Sequence, residues 1–332
     1  MTIEPQPVET TDQASEQSLT SDRGHIGDSI FKGISVGSGG LILVILAAVA
    51  LFLIVQAIPA FLGDPRYQHY GNTWTYVAPY LFGTIWASFL ALLIAVPVAV
   101  GIALYISHYA PKRLSTPVAF VIDLLAAVPS VVFGLWGINT LAPLLVPSYQ
   151  WLNAHLGWIP VFSGAVSGTG RTMLTAALVL AIMILPIITS LAREVFLRTP
   201  GLQEEASLAL GATRWEMIKQ VVLPFGRSGI VSASMLGLGR ALGETMAVAM
   251  VLSGGRHISF QLLTSQNPNT IAANIALSFP EADGFAVPQL IATGLVLFVI
   301  TFAVNMAGRA ITRGPKTSRA DRERKRAGKE PK

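Results

Sequence analysis

Six stretches of the chain carry apolar residues almost without interruption, at 39–62, 80–105, 117–139, 172–191, 230–252 and 288–308. Each matches the span of about 17–25 residues that a helix needs to cross a hydrocarbon core. None alternates apolar with polar residues as a barrel strand must. Backbone polar groups in lipid have to be satisfied within the segment itself, so the pattern predicts six transmembrane helices. Pro97, Pro129 and Pro186 fall inside the runs and are expected to bend or locally break them. The connections at 140–171 and 253–287 contain clusters such as "SGAVSGTG" and "SQNPNT", which read as loops. No internal repeat is visible, which weighs against transporter folds built from two related halves.

One polar connection, 192–229, has a pattern of its own: "AREVFLRTPGLQEEASLALGATRWEMIKQVVLPFGRSG". After the Thr199-Pro200-Gly201 turn a short helix is predicted from about Leu202 to Leu210, ended by Gly211, since glycine takes the left-handed conformation that closes a helix. A second helix is predicted to start at Thr213, with Glu216 three residues on completing a capping box, and to stop at Pro224. Leu202, Ala206, Ala209 and Leu210 share one side, as do Trp215, Ile218 and Val222, so each helix has an apolar face to bury. A bare connection would not need this order, whereas a docking element would.

Composition agrees with a membrane protein. The 332 residues are 52% hydrophobic and 12% charged, with mean hydropathy +0.58, where soluble domains are about a quarter charged. Cysteine is absent, which excludes disulfides, thiolate catalysis and Cys-ligated metal. Residues 1–38 are predicted to be a disordered tail: the first 28 are polar, hold Arg23 as their one basic residue, and lack the apolar core of a signal peptide. "SVGSGG" at 35–40 reads as a flexible entry to the membrane. Lys and Arg crowd into the N-terminal tail, the turn at Lys112 and Arg113, the 192–229 segment and the C-terminal tail, while the opposite side holds only Arg66, Arg171 and Arg256. By the positive-inside rule both termini are cytoplasmic. The net charge of +5 comes mostly from residues 309–332, a basic tail that reads as a topology determinant touching anionic lipid rather than as a nucleic-acid site.

Catalytic signatures are missing. There is no phosphate-binding Gly-x4-Gly-Lys loop, and His25, His69, His108, His155 and His257 have no metal-ligand spacing. No catalytic residue, metal or cofactor is therefore assigned to this chain, and any ATP it uses must be hydrolysed by another. What remains is charge within the spans: Asp123, Arg240 and Glu244. A charge at mid-bilayer costs roughly 2.5–3.5 kcal/mol on insertion scales, so such residues usually face a bundle interior or a watery path. In "GLGRALGETMAVAM" (237–250) Glu244 follows Arg240 by one helical turn, with Ala233, Gly237, Ala241 and Ala247 on or beside the same face. Either the two charges fix packing, or the small residues line a passage in which the planar guanidinium meets an oxyanion and Glu244 tempers its grip. Gly239 and Gly243 have the spacing that lets another helix approach closely. Asp123, nearer the end of its span, is expected to be a helix-end or interhelical hydrogen-bonding residue.

"EEASLALGATRWEMIKQVVLP" resembles the EAA loop of binding-protein-dependent ABC importer permeases, with Glu205, Ala206, Gly211, Leu223 and Pro224 at the matching places; Ser207 and Val221 are mild departures. "PSVVFGLWG" (129–137) and "LGLGRALGETMAV" (236–248) are similar to PstC-type permeases of high-affinity phosphate importers, a likeness running from about residue 80 to 309. The resemblance implies the six-helix type I importer (MetI-like) fold within 39–308 and a bacterial plasma-membrane location. It implies that Glu205, Ala206, Gly211, Leu223 and Pro224 couple to an ABC ATPase dimer, which would hold ATP and Mg, and that Arg240 and Glu244 serve phosphate passage. A PstA-type second permease subunit and an extracytoplasmic phosphate-binding protein would complete the assembly. Alternatives are a permease for sulfate or molybdate, or a secondary transporter or channel working alone.

Overall fold

The computed structural model describes residues 24–63, 71–284 and 286–312, which fall in two units, Met1–Val55 and Gln56–Lys332. Helix α1 (Gly24–Phe61) begins in the first unit, where from Gly39 on it is apolar on all sides, with Leu43 and Val44 about two-thirds exposed. An exposed helix without a polar face is made for lipid. The tail expectation is corrected here. Residues 24–38, and "SVGSGG" at 35–40 with them, belong to this helix, because adding residues to a formed helix is far cheaper than nucleating one. Residues 1–23 and the basic tail beyond 312 lie outside the described residues.

The second unit is built on α2 (Thr73–Leu104) and α6 (Met173–Leu197). Ala87, Ala91, Ala95, Ala99 and Ala103 recur at every fourth position of α2, all without exposed surface. The first four belong to the same core as Leu180, Ile184 and Ile188 of α6. A ridge of methyl groups lets two helix backbones approach closely, which substitutes for a hydrophobic drive that lipid does not supply. Pro97 and Pro186 lie inside these two helices without ending them.

Pro129 does break the chain. Helix α3 (Lys112–Ala126) stops short of it, and α4 (Ser130–Trp136) starts after it and runs through a π-helical turn (Gly137–Leu141) into α5 (Ala142–Leu156). Proline has no N–H to give a helix and disfavours helical backbone in the residue before it. The third membrane-length helix is therefore Ser130–Leu156 rather than 117–139. Asp123 ends up exposed in the last turn of α3 beside Phe120 and Leu124, with no hydrogen-bond partner among the described residues, which fits the helix-end alternative and not the interhelical one.

After α6 come α7 (Gly201–Ala209), α8 (Arg214–Met217), a π-helical turn (Ile218–Val222) and α9 (Leu223–Leu242). Pro224 does not end a helix as the sequence suggested. It occupies the first turn of α9, where the N–H of Leu223 already reaches back five residues to Ile218, so the widened turn absorbs the missing donor. Arg214–Leu242 is one membrane-length rod. Beyond it lie α10 (Met246–Val251), a two-residue parallel pairing of β1 (Gly254–Gly255) with β2 (Asn267–Pro268), α11 (Ile271–Ser278) and α12 (Val287–Thr312). Six helices of the described residues are long and apolar enough to cross a membrane.

Candidate functional site: a coupling hairpin and an intramembrane arginine on one rod

The α7–α8 hairpin follows its sequence pattern closely. Gly211 takes φ +90°. Thr213 Oγ1 accepts from the Glu216 N–H at 3.3 Å, and Glu216 Oε2 accepts from the Thr213 N–H at 2.8 Å, which closes the capping box. No residue of α7 is buried: Leu202 is 81% exposed, and Leu210, its C-cap, 90%. Glu205, Ala206 and Pro224 are exposed as well, and Leu223 is half-buried. Helix α7 thus presents an apolar face that no described residue of the chain covers.

The base of the hairpin is held firmly. Met217, Ile218 and Val222 form a buried cluster with Ala192 and Phe196 of α6 and with Ala103 and Leu104 of α2. A π-helical turn, Tyr105–Tyr109, extends α2 there, and in it His108 Nε2 lies 3.4 Å from Glu204 Oε1 while its Nδ1 meets Ser107 Oγ at 2.7 Å. Sequence inspection set His108 aside as scattered, and a contact across 96 residues leaves no local signal.

At the far end of the same rod, Arg240 is partly buried. Its Nε is fully enclosed without a hydrogen-bond partner among the described residues. No ion pair joins it to Glu244 among the described residues. The helix breaks between them: α9 ends at Leu242, and Glu244, 8% exposed, turns its Oε1 to accept the Ala247 N–H at 3.0 Å at the start of α10. The single continuous helix expected over 230–252 is thereby corrected. The small residues also divide differently than expected. Ala233, Gly237, Ala241 and Ala247 are packed inside; a Cβ on Gly237 would lie 2.8 Å from Ile188 Cδ1. The open side of the rod is instead Gly239 and Gly243, with Leu236 and Met246 exposed above and below.

The two segments that carried the resemblance meet in space. A Cβ on Gly134 would lie 2.9 Å from Ala247 Cα, and one on Gly137 would lie 2.8 Å from both Val179 and Val251. Helix α10 lies directly on α4, and the two glycines are what permit it.

A multi-pass helical membrane protein with an exposed, capped hairpin is the class this architecture defines. Residues 98–316 match the family described as binding-protein-dependent transport system inner membrane component, and the chain belongs to that family. It is 45% identical over 306 residues to phosphate transport system permease protein PstC 2 of Mycobacterium bovis, covering 87% of this chain and 92% of that one. It is 40% identical over 300 residues to PstC of Haemophilus influenzae, covering 85% and 92%. Among solved structures, a bacterial alginate ABC transporter bound to its periplasmic protein shares the fold at TM-score 0.56 and 17% identity, over 87% of this chain and 96% of that one.

Proposed function

We propose that the chain is a permease subunit of an ATP-driven importer of inorganic phosphate and forms part of the translocation pathway. The observation that carries the reading is the 45% identity, over 87% of the chain, to a protein named as a phosphate transport permease. The physical chemistry of the site agrees. Arg240 has no carboxylate partner among the described residues, and an uncompensated guanidinium in a partly buried place suits a tetrahedral oxyanion, which its planar fork binds through paired donors. The open Gly239 and Gly243 side of α9 suits a second, PstA-type permease subunit closing the passage from across.

In this reading the exposed α7 face, with Glu205, Ala206 and Gly211, docks on a separate ABC ATPase pair that binds ATP and Mg, and an extracytoplasmic binding protein delivers phosphate. Both termini are cytoplasmic by the placement of basic residues. The uninterrupted rod gives the coupling a direct route: from Arg214 to Arg240 is about 39 Å at 1.5 Å per residue. A push on α8 reaches Arg240 along one helix, and Leu223 and Pro224 sit at the turn where the rod leaves the hairpin.

The test is uptake into proteoliposomes holding the purified complex with its ATPase and binding protein. Arg240→Gln is expected to abolish phosphate uptake with assembly intact, and sulfate is expected not to compete; parental kinetics in that variant would return Arg240 to a packing role. Glu205→Lys is expected to leave the protein inserted and to uncouple ATP hydrolysis from uptake.

A further inference from the structure

Arg171 entered the sequence argument only as one of three basic residues on the outer side, yet the fold gives it a place of its own. It immediately precedes Thr172, the N-cap of α6. There it lines a cleft of about 570 Å³ with Gln150 of α5, Gly168 and Thr169 of the preceding loop, and Ile138 and Pro143 around the π-helical turn. No carboxylate lines the cleft, and among the described residues Arg171 has no ion-pair partner. The guanidinium is nonetheless fixed: Nη2 donates to the Leu252 carbonyl at 3.4 Å, and Nε is enclosed without a partner. A fixed, uncompensated cation beside an amide and a hydroxyl is a donor set for an anion with several acceptor oxygens.

Its position gives the cleft a meaning. Leu252 caps the end of α10 and Glu244 caps its start, so Arg171 and the Glu244 break stand at opposite ends of a helix about 9 Å long. Gly137, next to cleft residue Ile138, packs on Val251 of the same helix. We propose that the Arg171 cleft is a second phosphate-binding station, taking free phosphate at the outer side before it moves past α10 to Arg240. The direction of this hand-off rests on the phosphate-import reading; the binding site itself rests on the cleft. Two weaker stations in series let an anion enter and leave, where one tight site would hold it.

The absence of cysteine allows a direct test. In the assembled complex Gly168→Cys, where an added side chain meets open space, supplies a single thiol in this chain at the cleft and spares the donors, and the rate of its modification by a charged thiol reagent is followed with and without inorganic phosphate. In phospholipid-free detergent, phosphate is expected to slow labelling. Adding Arg171→Gln is expected to raise the phosphate concentration needed by about tenfold, with Arg171→Lys between the two. Adding Arg240→Gln is expected to leave the protection intact. No protection, or protection indifferent to Arg171→Gln, overturns the proposal. So does labelling that slows only in phosphatidylglycerol nanodiscs with no further effect of phosphate, which would assign the cleft to lipid headgroups. Failure of the import reading looks different: the complex with its ATPase and binding protein would take up no phosphate while phosphate protection at Gly168→Cys persisted.

Discussion

The hairpin at Gly211 and the break at Gly243 use the same local device in opposite surroundings. In each, a glycine ends a helix, and a glutamate after it accepts a free backbone N–H at the start of the next: Glu216 from Thr213, Glu244 from Ala247. At Gly211 nothing lies within 4 Å of where a side chain would go, and α7 buries no residue. Past Gly243 the new helix is pressed onto α4, with Ala247, Val248 and Val251 buried. Local chemistry alone explains the first, whereas the second packs where a neighbour far away in sequence leaves room at Gly134. One is an exposed face, which the proposed coupling would offer to a partner, and the other is a packed joint beside Arg240.

The largest expected effect comes from testing that difference with one substitution at two glycines. Gly134→Leu drives a side chain into the backbone of Ala247, and overpacking of this kind costs about 1–3 kcal/mol. Gly211→Leu meets open space and pays only for left-handed backbone, about 1–2 kcal/mol, which a frayed hairpin can shed locally. Thermal unfolding of the purified complex should fall clearly for Gly134→Leu and little for Gly211→Leu, while ATPase binding should fail in the second and survive in the first. Equal losses of stability would show that the hairpin is as integral to the fold as α10.

Next in size is removal of the two caps. Glu244→Ala leaves a buried N–H unsatisfied, at a cost of about 1–3 kcal/mol. Glu216→Ala exposes its N–H groups to water and should cost about 1 kcal/mol or less. Hydrogen exchange at the Ala247 and Thr213 amides, compared in the two variants, reads the difference.

How much was legible follows from the same contrast. The number of spans, the turn at Gly211 and the Thr213–Glu216 box were readable because each depends on neighbours in sequence. The break at Gly243 was not, since 230–252 is unbroken by proline and α10 packs on α4, a neighbour far away in sequence. Pro224 misled for a related reason: proline argues for a stop, but a π-helical turn before it keeps the rod continuous. The third span was placed too far toward the N-terminus by taking Pro129 as a bend rather than a boundary. The alanine ridge of α2 was present in the letters from 87 to 103 and would have marked the packing face had period four been sought. Arg171 carried no signal beyond its charge, because the cleft it lines joins α5, the π-helical turn and a loop that only the fold brings together.

The smallest change in stability is the most telling about Glu244. The cap needs an acceptor and not a charge, so Glu244→Gln, with its amide oxygen on the Ala247 N–H, should unfold within about 0.5 kcal/mol of the parent. Charge is what the substitution removes, in the turn after Arg240. If that carboxylate tempers the hold of Arg240 on phosphate, Glu244→Gln assembles normally and imports more slowly, with a lower phosphate concentration at half-maximal rate. Uptake equal to the parent would reduce Glu244 to a cap and leave Arg240 alone at the joint.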